Sequence, residues 1–137
     1  MTRVLTSDGT ANGAIAESGF TYDGQYLTVY GTERIQSDSA SSIGVGSTEV
    51  STIPTTSGNS GHFEYYVVNG SGFARTGVVM AVWDNTSASF TDTSTTDLNG
   101  STEGISFIVT VSGGDVRLTA VVTVGVWTVK VGTRIIF

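Results

Sequence analysis

The chain has 137 residues and a formal net charge of −6, and it is rich in small hydroxyl and β-branched residues, with 22 Thr, 17 Ser and 18 Val. This length suits one domain of ordinary size. The low content of Leu and Lys excludes a helical bundle or a coiled coil. The acidic balance argues against nucleic acid as a partner, because phosphate-binding surfaces need clustered Lys and Arg.

The chain contains no cysteine, which removes disulfide frameworks, thiolate metal sites and thiol nucleophiles together. Residues 1–16 are polar and punctuated by glycine, without the apolar stretch of a secretory signal. No apolar run approaches the roughly 18 residues that a membrane helix needs. We therefore expect no membrane insertion and no cleaved signal.

The first strand signal in chain order lies in residues 20–30. Asp23-Gly24 is a tight-turn dipeptide between two segments rich in aromatic and β-branched residues, and it predicts a β-hairpin. A two-stranded ribbon is marginal in water, so it must dock on the rest of the chain or on another copy. In residues 37–61 apolar residues are sparse, and we expect short extended pieces without a core of their own.

Residues 61–137 alternate with a period of two, the pattern of half-buried strands. Every second residue is apolar in three segments, at residues 63–67, 105–111 and 116–124. Residues 78–83 are apolar on both faces, and Gly-rich turns are predicted at residues 69–72 and 112–115. Six or seven closely spaced strands joined by hairpin turns predict an all-β, antiparallel β-sandwich that is jelly-roll-like.

A change of composition near residue 61 predicts two parts. Residues 1–60 contain the single proline and few aromatic residues. We expect them to form an extended, strand-bearing segment for attachment or intertwining that includes the β-hairpin. Residues 61–137 contain both Trp residues and most of the apolar runs, and they are expected to form the β-sandwich domain.

The candidates for catalysis and metal binding are weak. His62 is the only histidine, and Ser60, two residues away on the same strand, is too distant for a reliable relay hydrogen bond. The carboxylates around the loop of residues 84–104, which lack calcium-loop spacing, are Asp84, Asp92, Asp97 and Glu103. We expect them to solubilise the loop and cap turns. The sequence therefore predicts no enzyme, no catalytic residue, no cofactor and no metal site.

Four aromatic residues offer a platform for stacking sugars as one alternative: Tyr65, Tyr66, Trp83 and Trp127. Many carbohydrate sites combine an aromatic face with nearby polar groups. Both Trp residues lie in strongly apolar strands, however, which favours burial in a core or in a subunit interface.

Apolar residues on both faces of several strands indicate a subunit interface. A small sandwich alone needs only one buried face, so a second apolar face indicates burial against other copies of the chain. The apolar end of the chain would also be costly to leave in water. The residues that we expect at this interface are Val79, Ala81, Trp83, Ile108, Val121, Trp127, Ile135, Ile136 and Phe137.

Three segments carry a resemblance to a known group of proteins: GHFEYYVVNG (61–70), RTGVVMAVWD (75–84) and FTDTST (90–95). They resemble a C-terminal β-sandwich domain of tailed-bacteriophage virion proteins, which include tail-fibre-like and uncharacterised structural proteins. VRLTA (116–120) and WTVKVGTR (127–134) are similar to the same pattern, and FTYDGQYLTV (20–29) resembles elements of fibre shafts. The shared motifs are structural, and no catalytic residue carries over.

The resemblance implies a structural protein of a tailed-bacteriophage virion. Together with the apolar β-faces, it leads us to expect a fibre-like component that assembles as a homotrimer through those faces. It would be assembled in the host cytoplasm and exposed on the particle exterior. Its further partners would be other virion proteins of the capsid or tail, with loops that contact a host-surface glycan. Two alternatives remain: a head decoration or cement protein that stabilises the capsid, and a monomeric carbohydrate-binding module with an exposed Trp83 or Trp127.

Overall fold

The computed structural model describes residues 2–10, 13–31 and 33–136, and these residues form mostly β-strands. The strands are β1 (Thr2–Ser7), β2 (Ala14–Tyr22), β3 (Leu27–Val29), β4 (Glu33–Ile43), β5 (Gly46–Pro54), β6 (Ser60–Asn69), β7 (Ala74–Trp83), β8 (Ala88–Ser94), β9 (Ile105–Ser112), β10 (Asp115–Val122) and β11 (Trp127–Ile136). One turn of 3-10 helix, Thr55–Ser57, follows β5. The predicted all-β class is confirmed, as the content of Val and Thr favours.

The strands form two antiparallel sheets that face each other. The large sheet has the order β1-β2-β3-β4-β11-β6-β7-β8, and the small sheet has the order β5-β10-β9. Hairpins join neighbours within each sheet, while the chain passes between sheets after β4, β5, β8 and β10. This arrangement is the predicted antiparallel sandwich, in which the inward side chains of both sheets make one core.

The predicted hairpin turns have local causes. Between β2 and β3, Gly24 takes φ +100°, a conformation that glycine adopts without a steric penalty. The Asp23 carboxylate there accepts hydrogen bonds from the backbone N–H groups of Gln25 and Tyr26, at 3.0 and 2.8 Å. These contacts hold the turn and fix the register that pairs β2 with β3.

The core lies between the small sheet and the central strands of the large sheet. Its fully enclosed side chains are Ile53, Phe63, Val67, Val79, Val116, Leu118, Ala120, Val129 and Ile135. Both indoles are also buried, and each N–H is satisfied: Trp83 donates to the Gly58 carbonyl oxygen at 2.6 Å, and Trp127 donates to that of Val124 at 2.8 Å. Hydrogen-bonded indoles can be buried without an unpaired donor.

Strands from residues 1–60 take part in both sheets. β4 pairs with β11 along its length, and β5 pairs with β10. They add Ile43, Val50 and Ile53 to the core. β1, β2 and β3 instead extend the large sheet beyond β4, and most of their described side chains are exposed. The change of composition at residue 61 therefore does not coincide with a border in the hydrogen-bonded sheets.

Candidate functional site

One face of the large sheet packs on the small sheet, and the opposite face, here called the outer face, points to solvent. Directly paired residues of antiparallel strands lie on the same face, so the register arranges outer-face residues in rows across the sheet. One row contains Phe20, Val29, Glu33, Ile136, Ser60, Val82 and Ser89. The next row contains Tyr22, Leu27, Ile35, Arg134, His62, Met80 and Thr91.

Six large apolar side chains in these two rows remain exposed, and we call them the apolar band. Their exposed fractions are Phe20 37%, Tyr22 48%, Ile35 42%, Met80 42%, Val82 56% and Ile136 48%. Half-exposed side chains of this size together present on the order of 500 Å² of apolar surface. That total is comparable with the roughly 300–600 Å² of the largest apolar patch on a typical monomeric protein, and such a patch is often functional.

Arg134 lies in the middle of the apolar band. Its Nε is 3.4 Å from Oε1 of Glu33, and its Nη2 donates to Nδ1 of His62 at 3.0 Å. The Ser60 hydroxyl donates to the Ile136 carbonyl oxygen at 3.4 Å. The contacts of Ser60 and His62 are therefore with the neighbouring β11 strand, and the two side chains are not brought together as a relay.

A groove of about 620 Å³ lies beside the band on the same outer face. We call it the Gly132 groove, because Gly132 faces open space, with no atom within 4 Å of where a Cβ would stand. In one row Gly132 pairs with Ser37 and Glu64, and in the next row Lys130 pairs with Ser39 and Tyr66. Because Gly132 has no side chain, its row forms a trough between the Lys130 row and the row of the apolar band that contains Arg134.

The carboxylates of the predicted loop are used inside the chain. Asp84 accepts hydrogen bonds from the N–H groups of Thr86 and Ser87, both at 2.7 Å, which lowers its pKa to about 2. Asp97 accepts from the hydroxyl and the N–H of Thr102, and these bonds lower its pKa. Turn capping is therefore confirmed for these two. Within the described ranges no group of three or more His, Asp or Glu residues could hold a metal ion.

An internal hydrogen-bond cluster joins the two sheets near this loop. The Arg75 guanidinium of β7 donates to the carbonyl oxygens of Thr102 and Ile105, at 2.8 and 2.9 Å, and to the Thr102 hydroxyl at 2.7 Å. Its Nε donates to the Tyr65 hydroxyl at 3.2 Å, and that hydroxyl donates to Asp92 at 2.9 Å. Burial raises the pKa of Tyr65. Because every member has a partner, we assign this cluster to stability.

The predicted interface residues separate into three groups. The first group is enclosed in the core of its own chain and presents no surface to another copy: Val79, Ala81, Trp83, Trp127 and Ile135. Ile108 and Val121 lie on the solvent side of the small sheet, where Ile108 pairs with Thr119 and Val121 pairs with Ser106. Ile136 belongs to the apolar band, and Phe137 lies outside the described residues.

The alternation of β7 explains why residues 78–83 look apolar on both faces. The inward set of this strand fills the core of the chain, whereas its outward residues Met80 and Val82 remain exposed. The strand is therefore apolar on both faces, with Val79, Ala81 and Trp83 on the inward face and Met80 and Val82 on the outer face. Successive side chains of a strand point to opposite faces, so an inward Trp83 implies that Met80 and Val82 point to the outer face.

The predicted aromatic platform is not formed as a unit. Tyr65, Trp83 and Trp127 are buried, whereas Tyr66 is 42% exposed on the outer face and lines the Gly132 groove. A sugar site based on either Trp is therefore contradicted. Of the four residues predicted for the platform, Tyr66 is the one whose ring remains exposed.

No protein-family model matches the chain, and neither a curated protein nor a solved structure matches it. The likeness to tailed-bacteriophage virion domains stays an expectation from the sequence. Among the described residues, no helix has the length and apolar character needed to cross a membrane.

Proposed function

We propose that the protein is a non-enzymatic structural component of a tailed-bacteriophage virion, and that it assembles as a homotrimer through the apolar band. The observation that carries this proposal is the band itself, six exposed apolar side chains on one sheet face. The resemblance of residues 61–70, 75–84 and 90–95 supports the virion role. A fibre-like component is the preferred form, and a head decoration protein would use the same mode of assembly.

The size of the band is suited to association. Removing about 500 Å² of apolar surface from water would stabilise the complex by on the order of 12 kcal/mol per chain. Association costs about 4–15 kcal/mol in lost freedom, so burial of the band is of the same order as this cost. Polar residues within the same two rows, Glu33, Ser60, His62 and Arg134, enlarge the contact toward the roughly 800 Å² per partner of a standard interface.

The shape of the band is compatible with a ring of three chains. It extends over six neighbouring strands, from β2 to β7, which is about 24 Å at the usual strand spacing. Phe20 and Tyr22 lie at one end, and Met80 and Val82 lie at the other. A closed trimer uses two different patches on each chain, and two separated ends of one band provide them.

Light scattering coupled to size exclusion tests the assembly at micromolar concentration. We expect a mass near three chains of 14.2 kDa each. Val82→Glu places a charge in the band and should reduce the mass to that of one chain. Ile108→Glu is the matched control, because Ile108 is a 39% exposed strand residue outside the band. A monomeric wild-type chain, or equal effects of the two variants, would contradict the proposal.

A further inference from the structure

We infer that the Gly132 groove is a binding site for a neutral saccharide. This inference goes beyond the proposed assembly and rests on different residues of the outer face. The groove has a volume of about 620 Å³, within the roughly 300–1,000 Å³ of small-molecule sites. It is a shallow trough, which suits the side of an oligosaccharide better than a compact, deeply enclosed ligand.

Gly132 is the first observation that points to a ligand. Its backbone is that of an ordinary strand, without the positive φ that favours glycine, and no neighbour would meet a Cβ there. The fold therefore does not require glycine at this position, and glycine in a strand interior costs stability. A strand glycine that packing does not demand is typical of places where another molecule approaches the backbone.

The side chains beside Gly132 supply complementary hydrogen-bonding groups. Glu64 is opposite Gly132 on β6, and Lys130 is diagonal to Glu64, so their Cα atoms are separated by about 7–8 Å. In the described part of the chain, neither charge has an ion-pair or hydrogen-bond partner. A sugar hydroxyl both donates and accepts, so neighbouring hydroxyls could donate to the carboxylate and accept from the ammonium.

Tyr66 supplies an apolar surface next to these charges. Its ring is 42% exposed and pairs directly with Lys130 and with Thr76. Aromatic rings with a polar tip bind ligands that have one apolar face and several polar edges, as a pyranose ring has. Ser37 and Ser39 line the opposite side of the groove and add two hydroxyl groups.

The charge balance of the groove favours a neutral ligand. The groove is lined by two carboxylates, Glu64 and Asp38, and one ammonium, Lys130, and Oδ2 of Asp38 already accepts hydrogen bonds from Gln36 and Ser51. A phosphate or an acidic sugar would therefore meet no surplus of positive charge. The groove is open, and it covers only one side of a ligand. We therefore expect weak binding by a single chain, with a Kd on the order of 1 mM. Three chains in one assembly would strengthen retention on a surface that carries many copies of the sugar.

The test uses the full chain and an array of immobilised neutral oligosaccharides of glucose, galactose, mannose and N-acetylglucosamine, with oligosaccharides of acidic sugars on the same array for comparison. We expect the wild-type protein to be retained on at least one of them. Gly132→Val should fill part of the trough, because its Cβ would meet no atom within 4 Å, and should reduce retention at least tenfold. Ser106→Val, at an exposed strand position on the small sheet, is the matched control and should bind as wild type.

Tyr66 provides a second comparison in the same assay. Tyr66→Phe keeps the ring face and should retain binding, whereas Tyr66→Ala should lose it. No retention of the wild type, retention only on acidic sugars, or undiminished binding by Gly132→Val would overturn the inference. Light scattering on the same samples separates this inference from the proposed assembly. A Gly132→Val chain that loses its trimeric mass would assign the groove to the subunit interface, and that result would also overturn a saccharide site.

Discussion

Replacing Arg75 by Leu should destabilise the fold more than any exposed arginine replacement, because Arg75 connects the two sheets. It extends from β7 of the large sheet to the carbonyl oxygens of Thr102 and Ile105, next to β9 of the small sheet. Both of these acceptor residues are buried, at 1% and 2% exposure. Leucine keeps the apolar stem of the side chain but removes every donor.

The size of the effect follows from the two bonds to buried carbonyl groups. Hydrogen bonds that involve a charged group contribute about 1.5–3 kcal/mol each, which gives a gross loss of about 3–6 kcal/mol. An unrestrained side chain recovers about 2 kcal/mol of conformational entropy. The expected net decrease in the free energy of unfolding is therefore about 1–4 kcal/mol, a large share of the 5–15 kcal/mol typical of a domain.

Urea unfolding followed by Trp fluorescence measures this decrease at one fixed protein concentration, since assembly would otherwise shift the midpoint. Arg117→Leu is the control. Arg117 pairs with Glu49 at 2.6 Å on the solvent side of the small sheet, and such partly exposed pairs contribute about 0–1 kcal/mol. A decrease for Arg75→Leu no larger than that for Arg117→Leu would refute the reasoning.

Three further predictions concern packing, pH and local order. Gly77→Ala should lower the free energy of unfolding by about 1–3 kcal/mol, because its Cβ would lie 2.6 Å from the Tyr65 hydroxyl oxygen and 2.7 Å from the Thr93 carbonyl oxygen. Gly132→Ala should raise the free energy of unfolding by about 0.5–1 kcal/mol in the same urea assay, because its Cβ would meet no atom within 4 Å. Asp84 has a pKa of about 2 in the folded chain against 3.8 ordinarily, so its carboxylate stabilises the fold above about pH 4 and loses this effect toward pH 2. In Asp84→Asn, the urea midpoint should therefore depend less on pH over that interval. In hydrogen exchange, amides of β1, β2 and β3 should exchange faster in the monomeric Val82→Glu variant than in the assembled wild type.

The inward residues of β6, β9 and most of β10 could be predicted from the sequence because apolar and polar residues alternate there with strong contrast. The prediction for β10 extended two residues too far. Val124 is 69% exposed, because the strand ends at Val122 and Gly125 turns the chain at φ +87°. Alternation alone gives the period of a strand but not the residue at which pairing stops.

β4 and β5 were predicted only as short extended pieces, and the reason is their composition. Ser and Thr occupy both faces, so the contrast that marks an amphipathic strand is missing. Their length is determined by pairing with β11 and β10, which lie far away in the sequence. The same limit applies to Arg75 and to the Gly132 groove, because each depends on residues from strands that only the folded chain brings together.

β1, β2 and β3, which extend the large sheet beyond β4, give the strongest argument for the proposed assembly. β1, β2 and β3 are part of the large sheet, but they bury little. Among the described residues of this part of the chain, the buried side chains are those of Thr21 and of Tyr26, which lies between β2 and β3. Ordering a residue costs about 1–2 kcal/mol of backbone entropy, and strand pairing without an apolar core offsets little of it. What these strands add instead is outer-face surface, including Phe20 and Tyr22 of the apolar band. The proposed trimer accounts for such a segment, because a neighbouring copy that covers the band would stabilise strands that contribute little to their own core.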